Sequence, residues 1–146
     1  MTAQLQILQP VVALAIWTMV MWLWMYATRI PAMSKADGIP APSKLVGSTG
    51  ASLREKLPES VSWKADNYNH LHEQPTVFYA IMLVLALSGQ GDAGHAFLGW
   101  IYVGLRIIHS VIQATANKVL VRFVLFALSS IVLMMLIFQA TMIVFA

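Results

Sequence analysis

Three long apolar runs and one interrupted run organise the chain, and the interruption is the informative part. Residues 7–28, 95–116 and 119–145 are long enough and apolar enough for bilayer-spanning helices, which need about 20 such residues. The fourth run, Val77 to Ser88 (VFYAIMLVLALS), is only about half that length. A helix ending near Ser88 must therefore reach back to about Asn69, within WKADNYNHLHEQPTVFY, and the span is read as about 66–88. This draws His70, His72 and Glu73 to membrane depth. At 100° per residue Asp66, Asn69, His70 and Glu73 share one face, roughly a 100° arc. Pro75 is expected to kink this 66–88 helix just past Glu73. In the 95–116 run the polar positions are also grouped. Tyr102, Arg106, His109, Ser110, Gln113 and Asn117 fall within roughly 100° on a helical wheel. Ionisable side chains in membrane helices face a bundle interior or a wet cavity, so the two stripes are expected to face each other.

Between the first and second runs, residues 29–62 change character. Pro31, Pro40, Pro42 and Pro58, three glycines and many small polar residues make a loop too long for a simple turn. A short amphipathic helix near Ala51 to Leu57 is expected inside it. Long loops of this kind are usually functional, and this one is placed to act as a lid. The other connections, around Ser88 to Gly94 and at Asn117–Lys118, are short. No basic residue precedes Arg29, and the first run reads as a retained span whose Trp17, Trp22, Trp24 and Tyr26 form an interfacial belt.

Composition agrees: 59% of the 146 residues are hydrophobic and only 10% charged, against about 25% in soluble domains. The expected fold is an all-α membrane protein, a single four-transmembrane-helix bundle over residues 1–146. There is no cysteine, which excludes disulfides and thiolate chemistry from the protein itself. The net charge of +3 does not indicate a nucleic-acid partner. Of the nine Lys and Arg residues, all but Arg106 lie in or beside the long loop or the Asn117 turn. The positive-inside rule then places that loop in the cytoplasm and both termini outside.

Helical rise puts Glu73 about 22 Å from Ser88 and Arg106 about 15 Å from Ala96, with His109 one turn further along. Glu73 is therefore expected to pair with Arg106 and His109, either as a polar latch between spans or as part of a substrate site. A buried pair of this kind costs about 3–5 kcal/mol to break. Metal chemistry has little support. His70 and His72 point to different faces, and a single H-x-x-E is a weak signal, so no metal is expected.

The polar entry N-Y-N-H-L-H-E-Q-P-T-V-F-Y, followed by R-I-I-H-S in the next span and by Arg122 thirteen residues after His109, resembles the MAPEG family, membrane-associated proteins of eicosanoid and glutathione metabolism, and most closely its bacterial branch. The resemblance covers the whole chain. It implies a homotrimer in a bacterial inner membrane, with both termini periplasmic, the first loop cytoplasmic, and glutathione bound between subunits near the cytoplasmic face. It further implies a glutathione-dependent transferase or peroxidase acting on lipophilic electrophiles that partition from membrane lipids. Arg122 matches the arginine that stabilises the glutathione thiolate. Glu73 matches the glutamate of the family's R-x-x-x-N-x-x-E motif, and Arg29 the basic residue ending the first span. Arg106 and His109 match an arginine and histidine of the third span and are expected to support Glu73 from behind. Asp66 and His70 stand where the motif has arginine and asparagine, with Asn67 and Asn69 close by, and Gln113 stands where several members have a glutathione-contacting tyrosine. His70, Asn67, Asn69, Gln113, Arg29 and Glu73 are thus the expected ligand-binding set. Exchanging an arginine for Asp66 weakens attraction for a dianion. The competing expectation is a non-enzymatic trimeric scaffold, lipid-binding protein or accessory subunit of a larger membrane complex.

Overall fold

The computed structural model describes residues 3–40, 44, 46–47 and 49–146. Six helices follow one another: α1 (Ala3–Lys35), α2 (Gly50–Arg54), α3 (Glu59–His70), α4 (Gln74–Leu87), α5 (Ala93–Thr115) and α6 (Val119–Phe145), with no strand among the described residues. Three of them, α1, α5 and α6, are long and apolar enough to cross a membrane.

The 66–88 segment is not one kinked helix. It is two helices, α3 and α4, separated by Leu71 to Glu73. Pro75 explains the break. Its ring lacks a donor and clashes with the carbonyl four residues back, at Leu71, whereas near a helix N-terminus, where Pro75 now sits, the missing donor does no harm. Alone, the 14 residues of α4 reach only about 21 Å. The first helix, by contrast, runs further than expected. It continues through Arg29 and Pro31 to Lys35, so the long loop starts two turns late. Pro31 leaves the Ala27 carbonyl without its helical donor, but Ala27 lies at an exposed position where solvent can supply one. Within the loop, α2 forms where a short helix was expected, opened by a Thr49–Ser52 capping box. Pro42 lies outside the described residues.

The helices α1, α3 and α6 pack against α5, and α4 packs against α1 and α6. Each long helix buries a narrow seam. On α6 it is Ser129, Leu133, Leu136 and Ala140; on α1 it is Ile7, Pro10, Leu14, Thr18, Met21 and Met25. These three- and four-residue steps are those of antiparallel bundles. Close approach is made possible at Gly99, where an added Cβ would meet Met82 Cε and Pro10 Cγ, both at 2.8 Å. Phe78 of α4 stacks on Tyr102 of α5 with centroids 4.3 Å apart, tying the broken helix to the second long one.

Candidate functional site

The polar stripe of α5 turns inward as its spacing requires: Tyr102, Arg106, His109, Ser110 and Gln113 are all buried. At the end of α5 the chain reverses through Asn117, whose φ of 49° is left-handed, a conformation asparagine tolerates better than most residues. The turn brings Asn117 Oδ1 to Arg122 in the first turn of α6, where Arg122 Nη1 donates to it. Arg122 Nε is buried and has no hydrogen-bond partner. Nor does any carboxylate form a salt bridge with Arg122 among the described residues.

Facing this corner is the end of α3. Asp66, Asn69 and His70, then Glu73 beyond the break, line one open cavity of about 450 Å³ with Trp63. Its other walls are Gln113 and Asn117 of the α5 end, Arg122 of α6, and Arg54, which reaches in from α2. The volume lies in the range of small-ligand sites. His70, Asn69, Glu73, Gln113 and Arg122, five of the residues singled out in the sequence, are thus brought to one place. Arg29 lines an adjoining cavity, with Asp66 and Asn69 on its far wall. Asn67 is elsewhere. It points into the bundle, fully buried, and accepts a hydrogen bond from Ser110 Oγ at 3.0 Å.

The expected Glu73–Arg106–His109 group does not form. Glu73 Oε2 instead meets His70 Nδ1 at 2.7 Å, with the Glu73 side chain 66% exposed. His70 and Glu73 are neighbours at the spacing of one helical turn, and at the break Glu73 is the non-helical cap of α4, with its side chain mostly exposed. Arg106 is 1% exposed and, among the described residues, bonds no carboxylate. It donates one bond to the His70 carbonyl at 3.3 Å, and its guanidinium lies 5.7 Å from the Phe126 ring centre. His109 stacks obliquely on His70, centroids 5.1 Å apart. Arg106 and His109 both contact His70, the residue that Glu73 meets.

Two further site residues escaped the sequence, Arg54 and Trp63, while Asn117 was legible only as the end of the polar stripe. Arg54 grips Asp66 at both oxygens, Nη1 to Oδ1 at 3.0 Å and Nη2 to Oδ2 at 2.9 Å. An acid at position 66 demanded a cation, but nothing in the sequence said the loop would provide it. Below the cavity, Gln74 Nε2 donates to Ser130 Oγ at 2.7 Å and Tyr102 donates to Gln74 Oε1 at 3.3 Å, locking α4 to α5 and α6. On the outer side of α3, the Lys64 ammonium lies 5.5 Å from the Trp24 ring centre and ties α3 to α1. Among the described residues no three His, Cys, Asp or Glu side chains cluster as metal ligands would.

No protein of curated function and no solved structure matches the chain. The family model of MAPEG proteins does, over residues 7–142, nearly the whole length, and the chain belongs to the MAPEG family.

Proposed function

We propose that this MAPEG-family chain is a glutathione-dependent transferase or peroxidase acting on lipophilic electrophiles that reach it from the bilayer. In this reading it works as a homotrimer in a bacterial inner membrane, with four crossings per subunit, α3 and α4 in series making the second. The single observation that carries the proposal is Arg122. Its guanidinium stands at the wall of a polar cavity, and among the described residues its buried Nε has no partner and no carboxylate neutralises it. A buried donor left unmade is costly, and an anionic ligand supplies what it lacks. A nearby fixed cation also lowers the pKa of a bound thiol and holds the thiolate, the nucleophile the reaction needs. The thiolate sulfur then bonds to the electrophilic carbon while the leaving group departs with its electron pair. Asn69, Gln113 and the His70–Glu73 pair offer donors and acceptors for the peptide, and Arg29 offers a second cation on the far side of Asp66.

A non-enzymatic scaffold, lipid-binding protein or accessory subunit is favoured by a different observation. Both carboxylates at the cavity are already paired, Asp66 with Arg54 and Glu73 with His70, so much of the polar set is satisfied without a ligand. Calorimetric titration with glutathione separates the two. The enzyme reading expects saturable heat and a raised melting temperature. It also expects conjugation of a lipophilic aryl halide that falls at least about tenfold in Arg122→Ala, roughly the loss of one charge-assisted bond. No heat and no conjugation by the wild-type protein would establish the non-enzymatic reading.

A further inference from the structure

The second cavity, about 370 Å³, lies between the end of α1, α2 and α3, with Arg29, Gly50, Ser62 and Asn69 on its walls. It shares Arg54, Asp66 and Asn69 with the first cavity, so the Arg54–Asp66 ion pair and Asn69 stand between the two. Two of the five guanidinium N–H groups of Arg54 are engaged by Asp66, and no other acceptor among the described residues takes the remaining three. The Arg54 side chain is 60% exposed and faces both spaces. Across the second cavity, among the described residues, Arg29 bonds the Gly50 carbonyl alone, at 3.4 Å, again on α2. The space therefore has two guanidiniums and one carboxylate, and that carboxylate is already neutralised. It is cationic, although an aspartate stands at its centre.

We propose that Arg54 is a ligand-binding residue that takes a carboxylate of the glutathione bound in the main cavity, and that Asp66 is its positioning residue. The inference rests on the glutathione reading above. An arginine on a loop must be ordered before it can bind anything, and that ordering counts against affinity. The two-pronged pair with Asp66 fixes the guanidinium plane in advance and leaves the outer N–H groups presented to the ligand. Docking of α2 is then part of ligand binding.

The test is calorimetric titration, in a neutral detergent, with glutathione and with its diethyl ester, whose carboxylates are blocked. Wild type is expected to prefer the free acid. Arg54→Ala is expected to weaken glutathione at least tenfold, about 1.4 kcal/mol, and to reduce the preference over the diester by the same factor. A purely structural role for Arg54 would leave that preference intact. Arg54→Lys keeps the charge, loses the fork and should fall between. Lys44→Ala, on an exposed part of the same loop, should bind like wild type. In limited proteolysis, glutathione should slow cleavage within the loop of wild type and not of Arg54→Ala. If wild type binds but Arg54→Ala keeps both affinity and preference, the Arg54 inference fails and the glutathione reading stands. The inference fails in the same way if Lys44→Ala weakens binding as much as Arg54→Ala. No binding by wild type overturns both.

Discussion

Glu73 and Arg106 show how a single charged residue is valued by its surroundings. Glu73 is mostly exposed and paired with a histidine three residues away, while Arg106 is almost wholly buried and touches no carboxylate. Exposed pairs contribute about 0–1 kcal/mol, whereas breaking a buried one costs about 3–5 kcal/mol. Glu73→Ala is therefore expected to change thermal stability by no more than about 1 kcal/mol. Adding Arg106→Leu should bring no rescue, because the two charges are not partners. Melting curves of the single and double variants in detergent check this. A large loss in Glu73→Ala that Arg106→Leu repairs would show that the carboxylate reaches Arg106 after all.

Among the elements, α5 has the most clearly built start. Asp92 caps it, accepting from the His95 backbone N–H at 3.0 Å, and His95 reciprocates by accepting from the Asp92 backbone N–H. His95 is consequently more enclosed than a free interfacial residue, its side chain only 11% exposed. The His95 N–H, with help from the imidazole, holds the Asp92 carboxyl below its ordinary 3.8. A depressed folded pKa means that the cap contributes fully above the unfolded value and is lost as pH falls through the folded one. Asp92→Ala should cost about 1 kcal/mol at neutral pH. Its deficit should close as the pH is lowered below 3.8, the window set by that downward shift. Melting temperatures of both proteins across the acid range measure this, and a deficit independent of pH would mean the carboxylate is not the cap.

For the whole molecule, the proposed orientation in a bacterial inner membrane rests on charge. Arg54, Lys64, Lys118 and Arg122 gather at the end of the bundle that holds the cavities, while the Ser88 to Gly94 turn carries only Asp92. With no native cysteine, single cysteines report topology cleanly. A membrane-impermeant maleimide should label Gln90→Cys in cells whose outer membrane alone is opened. It should label Lys44→Cys only after the inner membrane is breached. The reverse pattern would place the cavities outside and remove them from cytoplasmic glutathione.

Hydrophobic length alone determined the three long helices, and polar periodicity alone determined the buried face of α5, because a bilayer leaves few alternatives for such runs. The short turn at Asn117 and the helix inside the long loop were equally local, written in turn and capping residues. Partner choice was not local. Asp66 had several cations within plausible reach, and only the docking of α2 selected Arg54. Glu73 was assigned to Arg106 by depth along an unbroken helix. The Pro75 break changed the direction of the backbone within three residues, and depth along the helix ceased to indicate who meets whom. The buried seams of α1 and α6 were illegible for a related reason. Lipid is as apolar as a protein core, so nearly every position is apolar and only packing decides which of them are covered.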